Sequence, residues 1–335
     1  MKLSKIFFAS SVLTTCFLLG VGIGNYKWFP YDHLKHVQDF FSGDLVLEAK
    51  AKAEASRFKE LFDQVSTSLY SEEIDTITSK KLAEKKPLIV YVHSWSGNFL
   101  ESDPLALRFV ESGYNYIRPD FQGANNNEDS CLSKKAISDI DSAIDWVISN
   151  GSIDENAIYV IGASGGGYTA LGYASKSKHL IKHTYAWVPI TDLYDWYHQS
   201  LARRNRYADD VLGCIGGVRL NRQALALRSP INMPPERSSK VSIYAGIDDG
   251  YSGSVPISHS INYFNNFANE EDRIDADDVQ RLLTRAYEPT IETIGDRQIF
   301  IDKVSHKLRL VIFDGGHEIL EDAAFDAIVS SINSN

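Results

Sequence analysis

The chain has 335 residues, of which 44% are hydrophobic, so it can build a sizeable core in one large domain or two modest ones. Its formal net charge is −10 and it has no long basic block, which argues against a nucleic-acid-binding surface. No sequence repeat recurs at a fixed period, which argues against a solenoid or propeller array.

Residues 1–30 are predicted to be an N-terminal signal anchor or signal peptide outside the fold. Lys2 and Lys5 precede an uncharged run at 6–26, and these 21 residues match the length of about 20 that crosses a bilayer as a helix. Aromatic residues follow the run, as at a membrane interface, and no small-x-small cleavage site stands out. We expect membrane attachment through 6–26, with a cleaved signal as the alternative, and export of the remainder to the periplasm or another extracytoplasmic face.

Residues 31–86 are predicted to be a linker and an N-terminal helix. The stretch GDLVLEAKAKAEASRFKELFDQV, residues 43–65, combines good helix formers with apolar residues at helical spacing. It is predicted to form an amphipathic helix between the membrane segment and the domain that follows.

Short apolar runs then alternate with helical stretches through 87–335. Such runs are typical of strands that are buried on both faces of a parallel sheet, joined by crossover helices. We therefore predict a doubly wound, mostly parallel α/β domain with a helical cap insertion at about 191–238. The predicted strands are 88–95, 114–121, 157–164, 183–190, 241–247 and 308–315.

The stretch IYVIGASGGGYTAL, residues 158–171, carries a serine between a buried strand and a helix. Gly162-x-Ser164-x-Gly166 has the G-x-S-x-G pattern of a nucleophile elbow, in which small neighbours relieve the crowding around an exposed serine. The amide of Gly165 at the helix start could donate to an oxyanion. A phosphate-binding loop is the rival interpretation, but the lysine of a P-loop is missing.

A serine nucleophile needs a general base and a group that orients that base. His317 lies in a Gly-Gly-His turn after the last predicted strand, where a base would be delivered. Asp248 and Asp249 follow the strand 241–247, and either could orient the imidazole. The spacing from Gly246 favours Asp249.

The second oxyanion donor should follow the strand 88–95, in the segment YVHSWSGN. Ser94 or Trp95 could supply the backbone amide. Trp95 is favoured because its ring could also wall the acyl pocket.

These segments resemble the α/β-hydrolase superfamily, in its prolyl-oligopeptidase-like and esterase branch. The resemblance rests on YVHSWSGN, RPDFQGANNN, IGASGGGYTAL, GIDDGYSGSVPISHS and FDGGHE. It implies a serine hydrolase with the triad Ser164, Asp249 and His317. In that branch the acid commonly precedes Val-Pro by two residues, whereas residues 250–254 intervene here. Residues 27–87 are also too few to form the β-propeller of an oligopeptidase.

The cap insertion is rich in aromatic and cationic side chains, which suit sugar rings and carboxylates. The alternative is an ordinary helical cap whose aromatic residues pack inward. The candidate substrate contacts are Trp95, Tyr168, Trp187, Trp196 and Arg203. The leading hypothesis is a carbohydrate acyl or acetyl esterase acting on a small-molecule or glycan ester, followed by a prolyl-oligopeptidase-like peptidase and then by a non-catalytic binding protein.

Cys131 and Cys214 could form one disulfide in an oxidising compartment, or remain two buried thiols. The acidic stretch near 270 does not match an EF-hand loop, and no His/Cys/Glu cluster predicts zinc. We therefore expect no metal and no cofactor.

Overall fold

The computed structural model describes residues 44–67, 74–83, 85–101, 103–151, 153–217, 219–236 and 238–334. The predicted membrane segment at 6–26 lies outside these ranges. Within them, no helix is both long and apolar enough to cross a bilayer. Among these residues the chain divides between Glu60 and Leu61 into two units.

A helix is present in the predicted region: α1 covers Asp44–Leu61, and its residues 51–60 are exposed except for the partly buried Phe58. The prediction was wrong at its end, because Phe62 begins a strand instead of continuing the helix. Phe62 is buried and packs edge-on against Tyr116, with ring centroids 5.6 Å apart. The strand that it begins pairs antiparallel with its neighbour, so sheet pairing overrides the local helix propensity.

The described residues form ten strands: β1 Phe62–Thr67, β2 Ile74–Ser79, β3 Leu88–Tyr91, β4 Asn115–Pro119, β5 Ile158–Ala163, β6 Ile181–Trp187, β7 Lys240–Gly246, β8 Thr293–Ile294, β9 Arg297–Ser305 and β10 Leu308–Phe313. Their order in the sheet is β1-β2-β4-β3-β5-β6-β7-β10-β9-β8. The six neighbours from β4 to β10 are parallel, and the outer strands pair antiparallel at both edges. The predicted mostly parallel α/β architecture is confirmed, and all six predicted strands are present.

Helices cover both faces of the sheet. Alternate residues of a strand point to opposite faces, and in β6 His183 and Tyr185 contact the last helix, whereas Ala186 packs in the hydrophobic cluster of the other face. The helices after α1 are α2 Ala106–Glu111, α3 Lys134–Gly151, α4 Gly165–Lys176, α5 Leu193–Ala202, α6 Tyr207–Gly213, α7 Arg222–Ala226, α8 Ser258–Phe267, α9 Ala276–Leu283 and α10 Glu321–Asn333.

The segment between β6 and β7 carries α5, α6 and α7, so helices occupy the region predicted as a cap insertion. Its helix α5 begins at a capped end, where the Asp192 carboxylate accepts hydrogen bonds from the amides of Tyr194 and Asp195. Cys214, at the end of α6, forms a disulfide with Cys131 in the loop after β4. The cap is thereby linked covalently to a loop from the other half of the sheet.

Candidate active site

Ser164 lies in a tight bend between β5 and α4. Its backbone is left-handed, with φ 58° and ψ −117°, a conformation that L-residues adopt only under constraint. A Cβ atom on Gly162 would lie 2.5 Å from the carbonyl carbon of Gly166. The two outer glycines of the G-x-S-x-G pattern are therefore required by the close approach of strand and helix, as predicted from the sequence.

The bend is fixed from its sides as well. The Ser164 amide donates to the carbonyl oxygen of Trp187 on the neighbouring strand, at 2.8 Å. A Cβ on Gly166 would lie 2.2 Å from the carbonyl oxygen of Val92, so this turn of the helix contacts the loop after β3 directly. These contacts hold Ser164 at the carboxyl edge of the parallel strands.

The structure brings His317 and Asp249 together. Nδ1 of His317 lies 2.6 Å from Oδ2 of the buried Asp249, so the ring donates this hydrogen to the carboxylate. The other carboxylate oxygen accepts from the amide of Val255 at 3.1 Å. Asp248 instead forms an exposed ion pair with Arg285 at 2.9 Å, which assigns the His317 contact to Asp249.

The three residues of the predicted triad follow strands that lie side by side. Ser164 follows β5, Asp249 follows β7 and His317 follows β10, and β5, β6, β7 and β10 are successive parallel neighbours. Because Asp249 engages Nδ1, the Nε2 atom of His317 is the nitrogen that can take a proton from a nucleophile. Within the described ranges, Nε2 has no hydrogen-bond partner.

Two backbone amides meet beside Ser164. Gly165 opens α4, and a Cβ on it would lie 2.2 Å from the backbone nitrogen of Trp95. Neither amide donates to any acceptor among the residues that the structure describes. Such a pair of free donors next to a nucleophile suits an oxyanion. Ser94 was the other candidate donor and is corrected here, because its amide is already donated to Oε2 of Glu101 at 2.6 Å.

Two residues that the sequence did not single out hold the loop after β3. Nδ1 of His93 donates to the carbonyl oxygen of Ser94 at 3.0 Å, and the amide of Gly97 donates to the same oxygen at 3.2 Å. A peptide group is planar and trans, so fixing this carbonyl also fixes the opposed N–H of Trp95. Burial lowers the pKa of His93 to about 4, so its ring stays neutral at neutral pH.

Glu101 is the second of these residues. Its two carboxylate oxygens accept from the amide and the hydroxyl of Ser94, at 2.6 and 2.5 Å. Gly97 lies against the same carboxylate, because a Cβ there would be 2.5 Å from Oε2. No spacing rule predicts such a loop closure, so the sequence offered no signal for Glu101.

The structure corrects the predicted aromatic substrate contacts. Trp95, Tyr168, Trp187 and Trp196 are all buried, with 0 to 3% of each residue exposed. Trp187 stacks on Tyr244 with ring centroids 4.2 Å apart, and Trp95 meets Trp196 at 4.5 Å. Trp95, Tyr168 and Trp196 pack in the hydrophobic cluster that includes residues of the cap, whereas Trp187 packs against strand residues. None of the four rings offers an open platform to a sugar ring.

Arg203 also differs from its predicted role. It follows α5, and its guanidinium donates to carbonyl oxygens of the loop after Asp249 instead of pointing free toward a ligand. The predicted substrate-binding role therefore has no support from its contacts.

Comparison with known proteins gives one family match. The family model described as BD-FAE matches residues 74–267, which extend from β2 to the end of α8. The matched region includes Ser164 and Asp249 and ends before His317.

Three solved structures of similar fold are peptidases of greater length. Acylaminoacyl peptidase of Pyrococcus horikoshii is 16% identical, with a TM-score of 0.54 over 81% of this chain and 40% of that chain. A puromycin-hydrolyzing peptidase of Mycobacterium tuberculosis is 14% identical, with a TM-score of 0.54 over 81% and 38%. Oligopeptidase B of Leishmania major is 12% identical, with a TM-score of 0.53 over 82% and 35%. The chain thus spans two fifths or less of these proteins, and at such identities the likeness concerns the fold alone.

Proposed function

The chain belongs to the BD-FAE family, within the α/β-hydrolase superfamily of serine hydrolases, and on this premise we propose that it is a carboxylic-ester hydrolase. The observation that carries the proposal is the hydrogen bond of 2.6 Å between His317 and Asp249 at the sheet edge that bears Ser164. The strained turn and the two free amides beside it supply the remaining parts of an acyl-transfer site.

The proposed reaction passes through an acyl-enzyme. His317 Nε2 takes the hydroxyl proton of Ser164 as Oγ attacks the ester carbonyl carbon, and Asp249 stabilises the resulting imidazolium. The amides of Gly165 and Trp95 donate to the oxyanion. Collapse of the tetrahedral intermediate breaks the ester C–O bond, and the alcohol leaves with the proton from His317. Water then attacks the acyl carbonyl carbon as His317 Nε2 takes its proton, and collapse of the second tetrahedral intermediate breaks the bond to Ser164 Oγ, which takes the proton back from His317 as the acid leaves.

We propose a carbohydrate acyl ester, in particular an acetyl ester, as the substrate class. With the aromatic rings buried, the support comes from polar groups at the rim of the site. The exposed Arg206 donates to the hydroxyl of Ser96 at 2.7 Å, directly beside Trp95. A hydroxyl and a cation next to the loop after β3, which carries the Trp95 amide, suit an ester whose alcohol part carries further hydroxyls or a carboxylate.

We also propose that the protein is exported and held at the membrane by residues 6–26. The disulfide between Cys131 and Cys214 supports an oxidising compartment, because such bonds persist outside the cytosol. Membrane attachment is testable by fractionation, which should release the protein from membranes with detergent and not with high salt. Release by salt alone would contradict the anchor.

The enzymatic proposal is tested with the full chain in detergent, using p-nitrophenyl acetate, acetylated xylan, acetylated pectin and aminoacyl-nitroanilides. We expect release of acetate from the esters, no turnover of the anilides, and loss of activity in Ser164→Ala. Turnover of anilides without esters would favour the peptidase alternative. A folded protein that turns over none of these substrates would instead favour a binding protein.

A further inference from the structure

Residues 250–254, here called the acid loop, separate Asp249 from Val255. The loop is closed by the acid itself, because Asp249 Oδ1 accepts from the amide of Val255 at 3.1 Å. Gly250 has φ 94°, a conformation that strongly favours glycine and lets the chain turn away directly after the acid. The acid loop thus folds back onto the Asp249 side chain.

The acid loop packs directly on the His317–Asp249 pair. A Cβ on Gly253 would lie 2.2 Å from Asp249 Oδ1 and 2.5 Å from His317 Cβ. The backbone of Gly253 therefore lies against both residues. A shift of this backbone would alter the geometry of the pair and its access to water, and a misplacement of about 1 Å can cost about 100-fold in rate.

The loop is held in place by the cap. Nη1 of Arg203 donates to the carbonyl oxygens of Gly253 and Ser254, at 3.3 and 3.1 Å. Nη2 donates to the carbonyl oxygen of Gly250, at the other end of the loop. The indole of Trp196 adds a hydrogen bond to Ser254 at 3.1 Å. Because the guanidinium is a rigid fork, it fixes both ends of the loop at once, which a lysine ammonium cannot do in the same way.

We propose that Arg203 is a positioning residue for the catalytic pair, which it orients through the acid loop. This inference rests on the proposed function and deepens it, since the cap then contributes to turnover and does more than cover the sheet. Arg203 touches neither Asp249 nor His317 in the described hydrogen bonds, so its effect passes through the backbone of residues 250–254.

The test compares the full chain with Arg203→Gln, Arg203→Lys and a matched control, Arg204→Gln. Arg204 is adjacent and donates no side-chain hydrogen bond to the acid loop among the described residues. With p-nitrophenyl acetate, we expect Arg203→Gln to lower kcat about 10- to 100-fold with KM within about threefold. The kcat of Arg203→Lys should lie between those of Arg203→Gln and the unaltered protein. The kcat of Arg204→Gln should stay within about twofold of the unaltered protein. A folded Arg203→Gln with unchanged kcat would overturn the proposal.

A double-mutant cycle separates positioning from mere structural support. In an Asp249→Asn background, Arg203→Gln should have little further effect on kcat, because the geometry that it controls is already lost. A full, additive loss in that background would overturn the proposal.

A spectroscopic readout keeps this test independent of turnover. The Nδ1 proton of His317 should give a downfield ¹H resonance that is absent in Asp249→Asn, present in Arg204→Gln, and broadened or shifted in Arg203→Gln. An unchanged resonance in Arg203→Gln would contradict the proposal that Arg203 positions the catalytic pair. Absence of turnover in the unaltered protein with this resonance pattern intact would count against the proposed function alone.

Discussion

Replacing Glu101 with Ala removes the two hydrogen bonds that Glu101 accepts from Ser94 and leaves the Trp95 amide less well directed. Loss of an oxyanion donor outright costs about 100- to 1,000-fold in kcat. The Trp95 amide would remain present in Glu101→Ala, and His93 and Gly97 would still hold the Ser94 carbonyl. We therefore expect a smaller loss in kcat, about 10- to 30-fold, with KM little changed.

Glu101→Gln is the matched control. A glutamine oxygen can accept from the Ser94 amide, and its NH₂ group can donate to the Ser94 hydroxyl, so both contacts can be re-formed without the charge. We expect Glu101→Gln to regain at least half of the transition-state stabilisation that Glu101→Ala loses. The assay is steady-state hydrolysis of p-nitrophenyl acetate, normalised to active sites titrated with a fluorophosphonate. If Glu101→Ala is folded and its kcat is unaltered, the account of how the loop is held is wrong.

Three further predictions concern the acid, the cap and acidic pH. Asp249→Asn should reduce kcat by several orders of magnitude and Asp248→Asn by less than about tenfold, because only Asp249 bonds the base; the reverse order in steady-state assays would reassign the acid. Replacing Cys131 and Cys214 with Ser should lower the free energy of unfolding by about 4 kcal/mol, given their separation of 83 residues, and an unchanged urea midpoint would contradict this. Burial lowers the pKa of His259 to about 3, so the folded state keeps the ring neutral at pH values where the unfolded chain protonates it. The free energy of unfolding is therefore highest above the ordinary pKa of about 6.5 and falls as the pH drops from about 6.5 toward 3, by up to about 1.4 kcal/mol per pH unit. Urea unfolding at pH 7 and 5 should show a smaller difference in His259→Gln, and an equal difference would contradict this assignment.

The strand–turn–helix around Ser164 could be predicted because its requirements are local. A buried strand, small residues on both sides of a serine and a following helix are all written in consecutive residues, and the crowding at Gly162 is their direct consequence. The parallel core was predictable for a similar reason, since its strands are continuous apolar runs. The edge strands β1, β2, β8 and β9 were not predicted, because their polar and mixed residues lack that pattern.

The choice between neighbouring residues needed tertiary structure. Asp248 and Asp249 are chemically identical and adjacent, and only the direction of each side chain separates the ion pair with Arg285 from the bond to His317. The choice between Ser94 and Trp95 as the oxyanion donor also needed the structure, because the Ser94 amide donates to Glu101 and only the Trp95 amide remains available.

The aromatic residues in and beside the cap illustrate a different limit. A ring that fills a core and a ring that faces a ligand have the same sequence signature, and Trp187 and Trp196 proved to be buried. Arg203 likewise had the chemistry of a carboxylate ligand and instead binds backbone carbonyls. Composition predicted which side chains are near the site and could not predict which way they face.

The most direct test of the central claim is to locate the covalent adduct. The full chain is treated with a fluorophosphonate, digested and examined by mass spectrometry, alongside Ser164→Ala and His317→Ala. The account predicts one modified peptide, containing residues 158–171 with the adduct on Ser164, no adduct in Ser164→Ala, and labelling slowed by orders of magnitude in His317→Ala. An adduct on another residue, or equal labelling of folded Ser164→Ala, would contradict it.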